Sequence, residues 1–328
     1  MSLPRCPLRD TNDEGSRSSL VHAFHRATRA HTGLKRHAFL IVAHQDLRHL
    51  QQLISLLDHD RNDIYLQVDS QGGLRTDTLA TKRSSLTVLP PMPVYWGGLS
   101  LIQAELNVLR AAFNNGYHYY HLLSGSDLPL VSQECLHARL EESDLEYVDI
   151  DPGCESFAHW KVAYYHLLVE TRFYRRFWAY RLLGHALVKL QALAGIDRTR
   201  KTGLQVLHGS AFFSITHAFA EYVLDREDWV RRNFHHTLIG EEVFMQTLLM
   251  SSPFRGKLAG RGPLRSGNLR YIDWSRKSGN SPYTFTMRDY EELKEAGRQY
   301  LIARKFNRSV DPEIVETIVA RLSTHGAL

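Results

Sequence analysis

His37-Ala-Phe-Leu-Ile-Val-Ala43 is a continuous apolar run of strand length, which is typical of central strands in parallel sheets because both of their faces are covered. Leucines at helical spacing follow between Leu47 and Leu57. Asp63-Ile-Tyr-Leu-Gln-Val-Asp69 is predicted to be a second strand, closed by the turn signal Gln71-Gly-Gly73. Strand, helix and strand in this order predict parallel strands joined by a crossover helix.

The same alternation continues to a polar loop. Ser85-Leu-Thr-Val-Leu89 is predicted to be a short third strand, which two prolines end. A helix is predicted from Ser100 to Phe113, with the serine as its N-cap. A fourth strand, Tyr117 to Leu123, leads into Ser124-Gly-Ser-Asp-Leu-Pro-Leu130. Open α/β sheets bind ligands beside loops of this kind, at strand ends.

Composition excludes several classes of protein. The 328 residues are 43% hydrophobic and 23% charged, unlike collagen, coiled coils or disordered chains. The net charge of +5 favours anionic partners, but no nucleic-acid-binding motif occurs, so we expect no nucleic-acid partner. Cys6, Cys135 and Cys154 form no CxxC pair. We therefore expect no disulfide framework, no thiolate zinc site and a reducing compartment.

The predicted domain organisation follows from the point at which a periodic pattern of apolar residues begins. Residues 1–36 are polar and are predicted to be disordered or partly helical, with one amphipathic helix from Leu20 to Ala30. Residues 37–328 are predicted to form a single domain. No apolar run is long enough to span a bilayer, and the first 20 residues are charged, so we expect neither a membrane span nor a signal peptide.

Several blocks of the sequence resemble one enzyme family. The blocks are Val94 to Asn107, Tyr119 to Leu130, Leu207-His-Gly-Ser-Ala-Phe-Phe213, Gly240-Glu-Glu-Val-Phe-Met-Gln-Thr247, Leu269-Arg-Tyr-Ile-Asp-Trp274 and Ala303-Arg-Lys-Phe306. In this order they are similar to the core-2/I-branching β-1,6-N-acetylglucosaminyltransferase and peptide O-xylosyltransferase family. The resemblance covers residues 37–323. The absence of a signal anchor resembles the bacterial members, which implies a cytoplasmic protein that builds cell-surface polysaccharide or lipid-linked glycan at the inner face of the membrane.

The resemblance implies an α/β, GT-A-like (Rossmann-like) fold, with a central, mostly parallel sheet flanked by helices. Residues 37–153 would bind the nucleotide sugar, residues 154–205 would be a basic aromatic helical insertion, and residues 206–328 would hold the acceptor and catalytic groups. It also implies inverting transfer from a UDP-sugar to a glycan hydroxyl. UDP-N-acetylglucosamine is the leading donor and UDP-xylose the alternative. A carbohydrate-binding protein that keeps the fold without catalysis is the alternative of another class.

Inversion in one displacement needs a carboxylate that deprotonates the acceptor hydroxyl. The resemblance assigns this general base to Glu242, with Glu241 as second choice. A glutamate pair that opens a helix from Val243 to Met250 is alternatively explained by the helix dipole.

The resemblance places Lys305 and Arg304 on the diphosphate. The family's second cation would fall near Asn280 or Ser281, where this sequence has none, so either Arg276, Lys277 or Arg288 substitutes for it or the contact is missing. We expect no cofactor and no metal, because the loop after the fourth strand has a single carboxylate, Asp127, where many GT-A enzymes have Asp-x-Asp. Mg²⁺ or Mn²⁺ stays an alternative, since Asp149-Ile-Asp151 and Asp58-His-Asp60 match that loose motif elsewhere.

The remaining candidates follow strand ends or lie in the later blocks. Nucleotide-sugar contacts are assigned to Ala43, His44, Asp69, Trp96, Ser124 and Asp127, and acceptor contacts to Trp274, Gly209 and Ser210. Plainer alternatives are an Asp69 that caps a turn and tryptophans that fill the core.

Residues 157–194 are predicted to form one or two long helices rich in aromatic residues and cations such as Lys161. Such a segment suits a peripheral membrane contact, an acidic acceptor or a solvated surface.

Overall fold

The computed structural model describes residues 35–202, 205–260, 267–276, 279 and 281–325. Residues 1–34, which hold Cys6 and most of the segment predicted to be disordered or partly helical, lie outside the described residues, as do Lys277 and Asn280. From Arg36 onward the described residues belong to one compact unit.

The strands and helices alternate along the first part of the chain and are more irregular along the second. The strands are β1 (His37–Ala43), β2 (Asn62–Val68), β3 (Ser85–Val88), β4 (Tyr119–Ser124), β5 (Asp127–Pro129), β6 (Tyr147–Val148), β7 (Phe213–Thr216), β8 (Arg270–Ile272) and β9 (Ile302–Arg304). The helices are α1 (Leu47–Leu57), α2 (Leu99–Phe113), α3 (Gln133–Leu140), α4 (Glu155–Ala163), α5 (Arg172–Arg176), α6 (Trp178–Leu193), α7 (Arg198–Thr202), α8 (His217–Leu224), α9 (Glu227–Phe234), α10 (Phe244–Met250), α11 (Tyr290–Ala296) and α12 (Pro312–His325).

Strand β1 lies inside a six-stranded sheet of order β3-β2-β1-β4-β7-β6. The strands β3, β2, β1 and β4 are parallel, whereas β7 runs antiparallel to both β4 and β6. Val42 is in register with Ser124, and Ala43 with Val68, so the carboxyl ends of β1, β2 and β4 lie side by side. A second sheet has three strands in the order β5-β9-β8, and its strand β5 directly follows β4 along the chain. The mostly parallel sheet confirms the predicted α/β, GT-A-like fold class.

Helices cover both faces of the sheet because its central strands carry apolar side chains on both. Leu40 packs in one cluster with Ile102 of α2, while Phe39 and Ile41 pack in another with Leu50 of α1. All of these side chains are buried. This double covering is the reason why β1 reads as an uninterrupted apolar run, and its observed bounds are those predicted.

The start of α2 differs from the prediction. The N-cap is Gly98 rather than Ser100, and it makes no side-chain cap hydrogen bond. The backbone N–H of Ser100 instead donates to Oε1 of Glu170, at 2.7 Å. A carboxylate from a distant loop therefore satisfies the helix N-terminus, which a local sequence pattern does not reveal.

The segment predicted to be one or two long helices is divided into α4, α5 and α6, with a break over residues 164–171. In this break the side chain of Gln191 accepts from the backbone N–H of Tyr165 (2.8 Å) and donates to its carbonyl (3.0 Å). The N–H of His166 donates to the carbonyl of His236, at 2.7 Å. Tertiary hydrogen bonds thus replace helical ones. Among the described helices, none is long and apolar enough to cross a membrane.

Candidate active site

Glu242 ends a short 3₁₀ turn, Gly240–Glu242, that connects α9 to α10. The turn is tightly packed, because a Cβ on Gly240 would lie 2.6 Å from Oγ1 of Thr237 and 3.1 Å from Cδ1 of Ile102. The preceding Ile239 donates its N–H to the carbonyl of Gly97, at 2.7 Å. The glutamates of the turn are therefore held in fixed positions by the backbone around them.

Two basic side chains converge on one oxygen of Glu242. Lys161 Nζ lies 2.6 Å from Oε2, and His208 Nε2 lies 3.1 Å from the same atom. Lys161 Nζ is also 3.0 Å from His208 Nε2 and 4.4 Å from the ring centroid of Phe157. Lys161 is completely buried, whereas 27% of the Glu242 side chain is exposed. The three groups form a compact cluster whose carboxylate is reachable from solvent.

The two neighbouring glutamates have opposite electrostatic environments. Burial raises the pKa of Glu242, but the hydrogen bond from His208 and the charge of Lys161 outweigh it and hold that pKa below its ordinary value. Burial, together with the charge of Glu242, raises the pKa of Glu241 to about 8. Burial and the nearby Glu241 also raise the pKa of Glu105 well above its usual range. At neutral pH Glu242 is thus a carboxylate, and Glu241 is largely a neutral acid in the interior.

The backbone of residues 208–210 passes between the end of β6 and the Glu242 turn. The N–H of Gly209 donates to the carbonyl of Glu242 (2.9 Å), and the N–H of Asp151 donates to the carbonyl of His208 (2.8 Å). A Cβ on Gly209 would lie only 1.9 Å from the carbonyl oxygen of Asp149, so this position requires glycine. Gly209 therefore sets the position of His208 against the carboxylate.

Ser210 continues this connection. Its carbonyl accepts from Nε2 of Gln246 at 2.6 Å, and the same amide donates to the carbonyl of Asp149 at 3.2 Å. Gln246 is fully buried in α10. The structure thus places Gly209 and Ser210, both assigned to the acceptor side, beside the Glu242 cluster through their main chains.

A second group of candidate residues lies where β4 ends. Asp127 is fully buried and accepts from the N–H of Ser124 (2.9 Å) and from Nη1 of Arg304 (2.7 Å). The Arg304 guanidinium also stacks 4.4 Å from the ring centroid of Phe212. Lys305 Nζ donates to Oγ of Ser281 at 3.1 Å. Asp127 and Arg304 therefore compensate each other's charge.

The ends of β1 and β2 bring three further candidates together. Asp69 donates its N–H to the carbonyl of Ala43, at 2.9 Å, and His44 follows exposed on the surface. The Asp69 carboxylate accepts from the N–H groups of Gln71 (2.9 Å) and Val94 (3.1 Å). These bonds are those of the turn cap that the sequence offered as an alternative.

Both candidate tryptophans are outside the core. Trp96 is 39% exposed and precedes the Gly97 that bonds to the Glu242 turn. Trp274 is 51% exposed and follows β8 beside an open depression of about 410 Å³. Arg276, which also lines this depression, forms ion pairs with three carboxylates, those of Asp273, Asp289 and Glu292. The charge of Arg276 is therefore already compensated, which disfavours the prediction that it binds phosphate. Arg288, another cation predicted for that role, is exposed.

The carboxylate motifs predicted as metal alternatives have different surroundings. Asp58 accepts from the backbone N–H groups of Lys82, Arg83 and Ser84, and Asp60 pairs with Arg83. That motif is therefore used to hold a loop. Asp151 instead lies with Cys154 and His208, and one ligand atom from each lies within 4.8 Å of the others.

The sequence patterns assign neither Lys161 nor His208 to the Glu242 cluster. They place Lys161 among the cations of residues 157–194, which suit a membrane contact, an acidic acceptor or a solvated surface, but it is buried on the same face of α4 as Ala158 and Val162. A lone lysine at apolar helical spacing was the available signal. His208 lies in one of the family blocks, beside the Gly209 and Ser210 that were selected.

Comparison with known proteins gives one family. A family model described as Core-2/I-Branching enzyme matches residues 37–295. Xylosyltransferase 2 from Rattus norvegicus is 26% identical over an alignment 311 residues long, which covers 87% of this chain and 33% of the rat protein. Xylosyltransferase 1 from Homo sapiens is 26% identical over an alignment 304 residues long, which covers 85% of this chain and 29% of the human protein. The chain thus spans about a third of the length of these relatives.

Proposed function

Because this chain belongs to the core-2/I-branching enzyme family, we propose that it is an inverting glycosyltransferase that moves a sugar from a UDP-sugar to a glycan hydroxyl. The observation that carries the proposal is the ionised, solvent-reachable carboxylate of Glu242, held by Lys161 and His208. A carboxylate of this kind is what a single displacement with inversion requires as its base.

The proposed mechanism assigns different tasks to the two oxygens of Glu242. Oε2 accepts from Lys161 and His208, while Oε1 has no hydrogen-bond partner among the described side chains and main chain. Oε1 would receive the proton of the acceptor hydroxyl as its oxygen attacks the anomeric carbon. The bond to UDP breaks in the same step. Because Oε2 stays anchored, the base keeps its orientation during the transfer.

The departing UDP carries negative charge that the protein must stabilise. We assign this task to Lys305, which the resemblance places on the diphosphate and whose Nζ donates to Oγ of Ser281 at 3.1 Å. The neighbouring Arg304 is paired with the buried Asp127. Asp127 and Ser124 would then position the β9 end rather than contact the nucleotide. The edge of the sheet that binds the uridine would lie at the ends of β1 and β2, where it is formed by Asp69, Ala43 and the exposed His44.

The donor has two candidates. The family and the lack of Asp-x-Asp after β4 favour N-acetylglucosamine transfer without a metal, in the β-1,6-branching sense. The names of the relatives, which are xylosyltransferases, favour xylose. The test is product formation from UDP-N-acetylglucosamine and from UDP-xylose with a panel of glycan acceptors, with EDTA and with Mn²⁺. Inverted product from one donor in EDTA supports the proposal. Retained anomeric configuration, or no turnover and no UDP binding with either donor, contradicts it and favours a carbohydrate-binding protein.

We further propose that α6 contacts an anionic membrane surface. Only Val188 of its 16 residues is buried. The exposed apolar side chains of α6 include Trp178, Leu182, Leu183, Leu190 and Leu193. Arg181 and Lys189, also exposed on α6, provide the charge that anionic headgroups attract. The lipid would be that of the cytoplasmic leaflet.

Pelleting with liposomes tests the membrane contact. The wild-type chain should sediment with anionic but not with neutral liposomes, and less at high salt. The double variant Trp178→Ser, Leu182→Ser should lose most of this binding, whereas Val310→Ser, an exposed apolar residue elsewhere, should not. Equal sedimentation of both variants would contradict the assignment to α6.

A further inference from the structure

A turn beside the Glu242 cluster brings three potential metal ligands together. Asp151-Pro-Gly-Cys154 connects the end of β6 to α4, and Gly153 has a positive φ of 89°, which glycine adopts without strain. The carboxylate and the thiol at the two ends of this turn are three residues apart, the spacing that turn-borne zinc ligands commonly have. The backbone bond from Asp151 to the carbonyl of His208 brings the imidazole to the same place.

The side-chain atoms of this group have few other partners. One oxygen of Asp151, the sulfur of Cys154 and one ring nitrogen of His208 all lie within 4.8 Å of one another. Nδ1 of His208 is buried without a hydrogen-bond partner, and Oδ2 of Asp151 lies 3.5 Å from it. Cys154 is a free thiol. A buried ring nitrogen without a partner is costly, and a metal ion would satisfy it.

We propose that Asp151, Cys154 and His208 form a binding site for Zn²⁺. Sulfur, nitrogen and oxygen ligands together fit zinc, whereas Mg²⁺ and Ca²⁺ take oxygen ligands. Bond lengths of about 2.0 to 2.3 Å in a tetrahedron place ligand atoms roughly 3.3 to 3.8 Å apart. The group is therefore within a side-chain rotation of that geometry. Asp151, whose side chain is 49% exposed, is free to make it. Solvent would take the fourth position.

Zinc at this site would act on the general base through His208. A histidine that binds zinc through Nδ1 carries its proton on Nε2, and such a proton is usually donated to a carboxylate or carbonyl. In this chain Nε2 of His208 faces Oε2 of Glu242, at 3.1 Å. The zinc-bound imidazole would thus hold Glu242 more firmly in its hydrogen-bonded state and weaken it as a base. Zinc is inferred to be an inhibitor, and this consequence rests on the proposed function.

Metal binding by the purified full chain tests the site without any turnover. Co²⁺ in place of Zn²⁺ should give an absorption band from thiolate-to-metal charge transfer, and Zn²⁺ should displace it with one equivalent per chain. Cys154→Ser should abolish the band. Cys135→Ser, which changes the other free thiol of the described residues, should keep it. Asp151→Asn should weaken zinc binding at least about tenfold.

Two results would overturn the site: zinc affinity that is equal in Cys154→Ser and Cys135→Ser, or a charge-transfer band that survives in Cys154→Ser. Thermal unfolding of each variant checks that it is folded. If Cys154→Ser does not fold, the affinity of Asp151→Asn for zinc provides the test instead.

Transfer assays test the inhibition separately. Without metal, Cys154→Ser should keep wild-type activity, and micromolar Zn²⁺ should inhibit the wild type and Cys135→Ser but not Cys154→Ser. Equal inhibition of both variants would overturn the link between the site and Glu242. A chain with the cobalt band and no transferase activity would contradict the proposed function while confirming the metal site.

Discussion

The Lys161 ammonium lies 2.6 Å from Oε2 of Glu242, although the two residues are 81 positions apart and the lysine side chain is only 1% exposed. A buried charge of this kind is stable only with a partner, and removing one member leaves the other uncompensated. The pair therefore links helix α4 of the insertion to the turn that carries Glu242, the proposed general base. Its electrostatic effect is to keep Glu242 ionised.

Lys161→Met should move the acidic limb of the pH profile of kcat/KM to higher pH. Lys161 and His208 hold the pKa of Glu242 below its ordinary value, so removal of the cation raises that pKa and protonates the base at higher pH. Lys82→Met, at an exposed position in the loop before β3, is the matched control and should leave the profile unchanged. An unshifted acidic limb in Lys161→Met would show that the lysine does not tune this carboxylate.

Gly209→Ala should reduce transfer and destabilise the protein by about 1 to 3 kcal/mol. Its Cβ would lie 1.9 Å from the carbonyl of Asp149, so the backbone that carries His208 must shift. Gly256→Ala provides the control, because nothing lies within 4 Å of a Cβ there. Urea unfolding and initial rates measure the two effects. Wild-type stability and rate in Gly209→Ala would show that the close approach is not needed.

Lys305→Ala should weaken UDP binding by about tenfold to a hundredfold, since hydrogen bonds to charged groups contribute roughly 1.5 to 3 kcal/mol. Isothermal titration with UDP in EDTA measures this. Lys294→Ala, whose side chain pairs with Glu291 on the surface of α11, should bind UDP like the wild type. Equal UDP affinity in the Lys305 and Lys294 variants would remove Lys305 from the diphosphate.

His137→Gln should make the free energy of unfolding less sensitive to acid. Burial, aided by the charges of Arg61 and His59, lowers the pKa of His137 from 6.5 to about 3, and its Nε2 contacts Asn62 at 2.7 Å. The folded state keeps this histidine neutral while the unfolded state protonates it below pH 6.5. Its contribution to stability is therefore intact above pH 6.5 and is lost as the pH falls toward 3, by up to about 1.4 kcal/mol per pH unit.

Urea midpoints between pH 8 and pH 4 give the measurement for His137. The exposed His185 supplies the control, and His185→Gln should keep the wild-type pH dependence. If the urea midpoint falls equally with pH in His137→Gln and His185→Gln, His137 is not held neutral in the folded state.

Much of the fold could be predicted because it is recorded in local patterns. The run from His37 to Ala43 is apolar on both faces, and β1 has the same bounds. The predicted start of α2 was wrong because the group that accepts from its N-terminus, the Glu170 carboxylate, comes from a loop 70 residues later than Ser100. Local patterns contain no information about a partner supplied by tertiary structure.

The candidate site was only partly predictable for the same reason. Glu242 was found through a motif, yet Lys161 resembled any other cation of a basic helix until its burial was known. Asp127 is predicted to contact the nucleotide sugar because of its position after β4, but its pairing with Arg304 depends on the contact between β5 and β9. Sequence gives the type of a charged residue, whereas burial and pairing decide its role.

The most direct test of the central claim compares Glu242→Gln with Glu241→Gln. Glu242 is the proposed base, and its pKa lies below the ordinary value, so its amide variant should bind UDP normally and transfer sugar about 10² to 10⁴ times more slowly. Glu241 is buried and largely neutral, so Glu241→Gln should keep a rate within a few-fold of the wild type. Initial rates with the better of the two donors decide the matter. Full activity in Glu242→Gln, or its loss in Glu241→Gln alone, would contradict the assignment of the base.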